Sequence, residues 1–377
     1  MGLKLLEKAN LENKTVFLRV DWNVPLKEGK IADDNRIEAT IPTIKYLRSK
    51  DCKIIIGTHL GRPDGEIVPE LSTKILSQRL SKLISAKVYA TDFVVEPAVK
   101  KEIKNLKTGE ILVLGNLRWH SEEEANNFSF GKILASYADI FVNDAFAVSH
   151  RAHASVEAIT KYLPSYAGFL LEKEVESLKI LTESPRQPFV LVLGGAKIKD
   201  KIKLIKKFAP NVDKIIIGGA IANTIRKFKG TDISVSYHEP NVESIVEDIL
   251  SVVGDKLILP TDDKRKQERD GKFSILDIGP KTIENYKKII SEAKTIFWNG
   301  NMGYSEDKDF ESGTLEIAKA IKDNKFIRIV AGGDTVGFLG LLGLTKDYSF
   351  VSTGGGAALE FLAGIELPGL KALDYYK

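Results

Sequence analysis

Residues that bind anions recur in this sequence at the ends of apolar runs, and their type changes halfway along the chain. In the first half, runs such as residues 17–20 and 54–57 are followed by Arg, His, Asp and Asn. In the second half, glycine follows, as in FVLVLGGAK at 189–197. Charged and amide side chains suit a small anion, whereas glycine lets the backbone approach a phosphate or nucleotide. The sequence therefore predicts two sites for two different ligands.

The predicted anion site of the first half uses side chains from several segments. Its candidates are Asp21, Asn23, Arg36, His59, Arg62, Arg118, His150 and Arg151. A single arginine after a strand is most often part of a surface ion pair. Four arginines at or just after strand ends favour a small phosphorylated or carboxylated ligand instead. His120 and His153 are predicted to be structural or to support the ligand contacts without touching the ligand.

The second half contains three candidate phosphate loops. GGAKIKDK at 194–201 is predicted to end a strand and open a helix, with Lys197 and Lys201 on one helical face. STGGGAALEFL at 352–362 is a second strand–glycine–helix start, whose free N–H groups suit an anion. In AGGDT, Asp334 follows two glycines and offers the hard oxygen that Mg²⁺ prefers. Each loop alone is most simply a tight turn, but three together favour a phosphate site.

These loops need a scaffold that brings strand ends together, and the apolar pattern predicts one. Val/Ile/Leu-rich strands of four to six residues alternate with amphipathic stretches, such as those at 36–50 and 74–86. Strands that are apolar throughout are expected of parallel sheets covered on both faces. We therefore predict an α/β protein with two Rossmann-like, doubly wound parallel-sheet domains joined by an interdomain helix.

The length of 377 residues exceeds one ordinary core and favours two domains. Pro164 and Pro185 bracket a segment with helical apolar spacing at 168–184, which we interpret as the interdomain helix. The predicted domains are accordingly 1–167, with the anion site, and 185–360, with the nucleotide site.

Composition excludes several classes of protein. The formal net charge of +4 is small, and no Lys/Arg block is interleaved with aromatic residues, which argues against a nucleic-acid partner. No apolar run is long enough to cross a bilayer, and the N-terminus lacks the apolar core of a signal peptide. A single cysteine, Cys52, permits no internal disulfide and fits a reducing compartment. We predict a cytoplasmic protein with no membrane partner.

Common nucleotide and metal motifs are missing from the sequence. It contains no GxxxxGK[ST], no GxGxxG after a strand, no HRD or DFG set, no HExxH and no CxxC. Two rival functions stay open at this point. A dinucleotide-dependent oxidoreductase would need the glycine fingerprint. A non-catalytic phosphometabolite-binding protein would keep the arginines but has no reason to keep Lys197, Lys201 and Asp334.

The order of the motifs resembles that of the phosphoglycerate kinase family. From about residue 15 to 373 the chain carries, in that family's order, RVDWNVP, HLGRP, NLRWH, NDAFAVSHRAHAS, GGAKIKDK, LDIGPKT, WNGNMG, AGGDT and STGGGAALEFL. The resemblance implies a monomeric glycolytic kinase that reversibly converts 1,3-bisphosphoglycerate and ADP to 3-phosphoglycerate and ATP. It also implies Mg²⁺ as cofactor, in-line transfer after hinge closure, and a C-terminal tail at 361–377 packed on the first domain.

The resemblance assigns roles to individual residues. It implies phosphoglycerate contacts at Asp21, Asn23, Arg36, His59, Leu60, Gly61, Arg62, Arg118 and Arg151. It implies nucleotide contacts at Lys197, Lys201, Gly219, Asn299, Glu306, Gly332, Gly333, Asp334 and Thr335, with Asp334 as the metal ligand. It implies catalytic roles for Arg36, Lys197, Lys201, Gly354, Gly355 and Gly356. Ile275 and Asn301 depart from the family's usual residues close to the expected base site.

No general base is evident among these residues, and the implied reaction needs none. The acceptor would be a carboxylate that is already ionised at neutral pH. Catalysis would then consist of positioning the two substrates and stabilising charge on the transferred phosphoryl group.

Overall fold

The computed structural model describes residues 2–377, which form two compact units. The first unit contains the chain through Val175 together with Glu366–Lys377, and the second contains Glu176–Ile365. The assignment of one ligand-binding domain to 1–167 and another to 185–360 stays a prediction.

From residue 2 up to the start of the second unit, the chain forms eight short strands and seven α-helices, the last of which continues into the second unit. The strands are β1 (Thr15–Val20), β2 (Leu26–Lys27), β3 (Lys30–Ile31), β4 (Lys53–Gly57), β5 (Val88–Ala90), β6 (Ile111–Val113), β7 (Ile140–Asp144) and β8 (Ser165–Ala167). The helices are α1 (Asn35–Glu38), α2 (Ile41–Ser49), α3 (Lys74–Ile84), α4 (Pro97–Asn105), α5 (Ser121–Glu124), α6 (Phe128–Ala135) and α7 (Phe169–Glu183).

Six of these strands form one parallel sheet in the order β5-β6-β4-β1-β7-β8, while β2 and β3 make a small antiparallel hairpin. The strand order reverses between β1 and β7, because the chain adds β4, β6 and β5 on one side of β1 and returns on the other. Ligands of open α/β sheets bind at such a switch point, outside the carboxyl ends of the strands. The ends of β1 and β7 therefore mark the expected site of this unit.

Apolar residues cover both faces of this sheet. Phe17 packs in one cluster with Ile55 and Phe141, its register partners on the two neighbouring strands. The next residue, Leu18, belongs to a different cluster together with Val142. Because successive strand residues point to opposite faces, a strand covered on both sides must be apolar throughout, as the sequence pattern indicated.

The amphipathic stretch at 36–50 contains two helices, α1 and α2. Pro42 lies at the start of α2, where the missing N–H is tolerated because no intrahelical partner is needed there. In the middle of a continuous helix the same proline would remove a hydrogen bond and clash with the preceding turn. The break places Arg36 on the short helix α1.

The second unit repeats the architecture with its own elements. Its strands are β9 (Phe189–Leu193), β10 (Lys214–Ile217), β11 (Leu257–Ile258), β12 (Asp263–Gln267), β13 (Phe273–Ile278), β14 (Thr295–Asn299), β15 (Ile327–Val330) and β16 (Phe350–Val351). Its helices are α8 (Ile202–Phe208), α9 (Gly219–Phe228), α10 (Glu243–Val253), α11 (Pro280–Glu292), α12 (Ser312–Asp323), α13 (Gly333–Leu341) and α14 (Gly356–Leu362).

The main sheet of this unit is parallel, in the order β11-β10-β9-β14-β15-β16, and β12 and β13 form a separate antiparallel pair. Its strand order reverses between β9 and β14, so those two strand ends mark the expected site. β9 and β14 are completely buried along their lengths. Two six-stranded parallel sheets with helices around them confirm the predicted α/β class.

The helix predicted at 168–184 is α7, which begins in the first unit and ends in the second. The final helix, α15 (Pro368–Lys371), belongs to the first unit, where the Gly369 N–H donates to the Ser149 carbonyl (2.8 Å). The segment that returns to the first unit begins at Glu366. Residues 361–365, predicted as part of that segment, lie in the second unit because α14 continues to Leu362 and the Ile365 N–H bonds to Glu360.

Across residues 2–377, every helix is too short or too polar to span a lipid bilayer.

Candidate functional site

In the first unit, three predicted anion-site residues come together where β1 and β4 end. The Asn23 N–H donates to Asp21 Oδ1 (3.1 Å), which shapes the turn after β1. The Asn23 amide oxygen accepts the Gly61 N–H (2.9 Å) and so connects this turn to the loop after β4. His59 lies on that second loop, with Nδ1 3.7 Å from Asp21 Oδ1.

Arg36 reaches the same place from α1 and forms an ion pair with Asp21. It was predicted to lie at or just after a strand end, but it sits on a helix, and only the ion pair brings it to the cluster. Burial alone would raise the pKa of Asp21, but the charges of Arg36, His59 and Arg19 and the Asn23 N–H together outweigh this effect, and the pKa falls to about 2. Asp21 is therefore an anion that anchors Arg36. Burial lowers the pKa of His59 well below its usual range, so its ring is neutral and can accept or donate without adding charge.

Arg118 and Arg151 form the other side of this cluster. Arg118 lies in a short 3-10 helix (Leu117–Trp119) capped by Asn116, whose side-chain oxygen accepts the Arg118 N–H (3.1 Å). Arg118 Nη1 donates to the carbonyl of Gly61 (3.3 Å), the residue whose N–H bonds to Asn23, and this bond connects Arg118 to the loop after β4. Arg151 Nε donates to His150 Nε2 (3.2 Å). Both guanidinium groups also approach one oxygen of Glu124, at 3.2 Å from Arg118 and 3.9 Å from Arg151.

Two other predicted contacts, Leu60 and Arg62, lie on the loop after β4. The Leu60 carbonyl accepts a hydrogen bond from the Asn116 side chain (2.7 Å), so this residue holds the arginine-bearing loop through its backbone. Arg62 directly follows Gly61 and is exposed. Its side chain is connected to the cluster only by this position in the chain.

Sequence reasoning missed the buried network that supports this cluster. Arg19 is fully buried on β1; its Nε donates to Ser155 Oγ (2.7 Å), and Glu123 lies 3.7 Å from its Nη2. Glu123 also accepts from the N–H (2.9 Å) and the hydroxyl (2.5 Å) of Ser155. His153, predicted to be structural, is buried with Nδ1 3.8 Å from Glu123. The network joins β1, α5 and the segment after β7; Asp21 directly follows β1, α5 carries Glu124, and the segment after β7 carries Arg151.

In the second unit, Lys197 and Lys201 do not share a helical face as predicted. The helix α8 begins only at Ile202, and Lys197 lies in the loop before it. The carboxylate of Glu239 accepts the N–H groups of Ile198 (2.6 Å) and Lys199 (3.3 Å) and so caps the turn that leads into this helix. Glu239 is a second supporting residue that no sequence motif indicated.

The two lysines nevertheless line one cavity of about 750 Å³ at the ends of β9, β14, β15 and β16. The predicted residues that line it are Lys197, Lys201, Asn299, Gly332, Gly333, Asp334, Thr335, Gly355 and Gly356. Burial lowers the pKa of Lys201, while the charges of Asp200 and Asp334 partly restore it. The cavity thus combines lysine charge with backbone from three glycine-rich strand ends, as an anion site requires.

A second cavity of about 560 Å³ adjoins the first, since Gly195, Ala196 and Asp334 line both. Gly219 and Glu306, both predicted nucleotide contacts, line this second cavity. Gly219 has φ +61°, and a Cβ there would lie 2.8 Å from the Gly195 nitrogen, so only glycine fits. The pair of cavities offers space for a base and ribose beside a phosphate site.

Asn299 and Thr335 stabilise the backbone of the cavity wall through hydrogen bonds. The Asn299 side chain donates to the Ala331 carbonyl (2.7 Å), and the Thr335 hydroxyl accepts the Gly300 N–H (2.9 Å). Both bonds fix the end of β14 against the loop after β15. The Gly354 N–H already donates to Ser352 Oγ (3.0 Å), which leaves Gly355 and Gly356 as the glycines of that loop that line the cavity.

The cavity fits a single Mg²⁺ ion held by one carboxylate. Asp334 lies in the first turn of α13, is exposed, and lines both cavities. Among residues 2–377, no three His, Cys, Asp or Glu side chains form a metal cluster. One carboxylate beside a phosphate site is an arrangement that Mg²⁺ uses with nucleotide phosphates, which supply further ligands.

Sequence reasoning noted Ile275 and Asn301 but not how firmly they are held. Ile275 is buried in the wall of the smaller cavity, and its N–H donates to Ser236 Oγ (2.8 Å). The Asn301 carbonyl accepts the Gly195 N–H (2.9 Å), and its side chain donates to Ser305 Oγ (2.5 Å). The turn at Asn301 is therefore fixed by hydrogen bonds in the absence of a proline.

Comparisons with known proteins agree with these features. The sequence profile of the phosphoglycerate kinase family matches residues 6–365. A phosphoglycerate kinase of Leptospira biflexa is 44% identical, covering 99% of this chain and 98% of the relative. One of Finegoldia magna is 43% identical, covering 99% and 100%. Among solved structures, phosphoglycerate kinase from Coxiella burnetii has a TM-score of 0.86 at 36% identity, covering all of both chains. That from Pyrococcus horikoshii has a TM-score of 0.87 at 35% identity, covering 99% and 98%.

Proposed function

The chain belongs to the phosphoglycerate kinase family, and we propose that each of its units binds one of that family's two substrates. It is a kinase of glycolysis that transfers a phosphoryl group between 1,3-bisphosphoglycerate and ADP. The family identity confirms the resemblance read from the motifs. How the individual residues divide the work is the content of the proposal.

The first unit binds the phosphoglycerate through its basic cluster. Arg118 and Arg151 lie close enough to contact one carboxylate oxygen, so they can hold one anionic group of the substrate together. Asp21 keeps Arg36 beside them through an ion pair. A neutral His59 adds a hydrogen-bonding group at the same place without further charge.

The second unit binds the nucleotide in its two adjoining cavities. The phosphates occupy the larger cavity, where Lys197, Lys201 and the glycine-rich strand ends meet, and the base and ribose occupy the smaller one. Asp334, which lines both cavities, would hold Mg²⁺. When bound, this ion neutralises charge on the nucleotide phosphates and orients them. This cavity, in which Lys197, Lys201 and Asp334 lie at glycine-rich strand ends, is the observation that carries the proposal.

The transfer itself requires positioning and charge stabilisation. The acceptor carboxylate of 3-phosphoglycerate needs no deprotonation at neutral pH, so no general base is required. Arg36 from one unit and Lys197 and Lys201 from the other stabilise the charge on the transferred group. Because the two substrates bind to separate units, in-line transfer depends on hinge closure around α7, which also excludes water from the acyl phosphate.

We further propose a monomeric cytoplasmic enzyme. Each substrate has its own set of residues within one chain, so the reaction does not require a second copy. The single cysteine, Cys52, is buried, as expected of a small apolar residue in a reducing compartment.

The proposal is tested by following ADP formation from ATP with the purified protein. ADP should form only when 3-phosphoglycerate and Mg²⁺ are both present. Omission of each component in turn provides the controls. ADP formation that is independent of 3-phosphoglycerate would overturn the proposal.

A further inference from the structure

Glu124 is the last residue of α5, and its carboxylate lies between two arginines of the proposed phosphoglycerate site. One oxygen, Oε1, is 3.2 Å from Arg118 Nε and 3.9 Å from Arg151 Nη1. The substrate of this site is itself a carboxylate and a phosphate. The chain therefore presents to these arginines the same chemical group that the substrate presents.

The contact matters most for Arg118, which is only 4% exposed. Burial lowers the pKa of Arg118, and Glu124 is the first of the charges that oppose this effect. An anion that replaces Glu124 at Arg118 must first break that ion pair. The free energy of breaking it is subtracted from the affinity for the incoming anion.

The position of Glu124 allows it to leave. Its side chain is 38% exposed, so the freed carboxylate can be hydrated where it stands. The preceding residue, Glu123, differs in this respect: it is fully buried and fixed by two hydrogen bonds from Ser155. The two adjacent carboxylates thus have separate roles: Glu123 is buried and stabilises the site, whereas Glu124 is partly exposed and pairs with its arginines.

We propose that Glu124 is an internal competitor that lowers the affinity of this site for the anionic acid substrate. The inference rests on the proposed function, since it takes Arg118 and Arg151 as substrate contacts. The acid must leave the enzyme after each turnover, and weaker binding speeds its dissociation. The contact thus adjusts the affinity for the acid without contacting the transferred phosphoryl group.

The test is to replace Glu124 by glutamine, which keeps the shape and removes the charge. Glu124→Gln should bind 3-phosphoglycerate about fivefold more tightly in calorimetry, the effect expected of breaking one half-exposed ion pair. The KM for 3-phosphoglycerate should fall with it, while the KM for ATP stays unchanged. Glu124→Asp keeps the charge and should bind the acid more weakly than Glu124→Gln does.

The matched control is Glu122→Gln on the same helix. Glu122 is exposed, and its carboxylate lies near the Ser121 hydroxyl (3.5 Å) rather than between the arginines. The Glu122→Gln variant removes the same charge and should leave 3-phosphoglycerate binding unchanged. Equal tightening in both variants would show a general charge effect and overturn the inference.

Unchanged or weaker binding in Glu124→Gln would also overturn it, because Glu124 would then hold the arginines in place for the substrate. Failure of the proposed function is recognised separately and earlier. In that case the wild-type protein itself shows no ADP formation that depends on 3-phosphoglycerate. If the wild type is active, the comparison of variants tests Glu124 alone.

Discussion

The buried carboxyl group of Asp144 is expected to make stability depend on pH near neutrality. Asp144 ends β7, and its Oδ1 accepts the N–H groups of Leu170 (2.9 Å) and Leu171 (3.1 Å), which caps the start of α7. Burial raises the pKa of this group to about 6, against the opposing effects of a hydrogen bond with the Thr43 side chain and of the two N–H groups.

The sign and size of the effect follow from this pKa. The folded pKa of about 6 lies above the reference value of 3.8, so the folded state favours the protonated form. The stability that Asp144 contributes is fully present below the unfolded pKa and is lost as the pH rises through about 6. A difference of roughly two pKa units corresponds to about 3 kcal/mol, which is the largest loss expected by neutral pH.

Asp144→Asn removes the charge and keeps an oxygen that can accept the two N–H groups. The free energy of unfolding in urea should therefore rise relative to wild type by about 1–1.5 kcal/mol on going from about pH 5 to about pH 8, because part of the loss has already occurred by about pH 5. Asp139→Asn is the control, because Asp139 also accepts a backbone N–H, from Thr15 (2.8 Å), but is exposed. A difference between Asp144→Asn and wild type that is constant across this pH range would refute the reasoning.

Three further predictions concern the reaction. Arg36→Ala should lower kcat on the order of 100-fold, as for a preorganised charge acting on the transferred group, whereas Arg118→Ala should mainly raise the KM for phosphoglycerate. If Arg36→Ala changed only KM, the proposal that Arg36 stabilises charge on the transferred group would be wrong. Asp334→Asn should raise the Mg²⁺ concentration needed for half-maximal rate and spare phosphoglycerate binding, and an unchanged Mg²⁺ dependence would contradict this. Small-angle scattering should give a smaller radius of gyration with both substrates than with either alone; equal radii in all ligand states would argue against hinge closure.

The fold could be predicted from the sequence because its signals are local. Continuous apolar strands such as β9 and β14 indicate parallel sheets covered on both faces, and prolines around α7 mark its ends. Apolar spacing alone does not show where a single residue interrupts a helix. Pro42 divides the stretch at 36–50 into two helices although its apolar spacing continues.

The site was harder to predict where long-range contacts decide the backbone. Lys197 and Lys201 were placed on one helical face because their spacing is four residues. The helix begins only at Ile202, and Glu239, about 40 residues further along the chain, binds the N–H groups of the turn before it. A sequence pattern reports which side chains are present but cannot report which distant carboxylate binds the free backbone donors at the start of a helix.

The same limit explains why the support of the basic cluster was missed, and it shows how that cluster can exist. Several like charges near one point repel one another and would separate if each arginine stood on a free loop. Here Asp21 anchors Arg36, while Glu123 is buried beside Arg19 beneath the cluster. Glu123 also fixes the segment that carries Arg151 through Ser155. Each of these two carboxylates is buried and compensates part of the positive charge. Glu124 differs because it pairs with the arginines while its own side chain is 38% exposed, which is why we expect its removal to strengthen substrate binding rather than to weaken it.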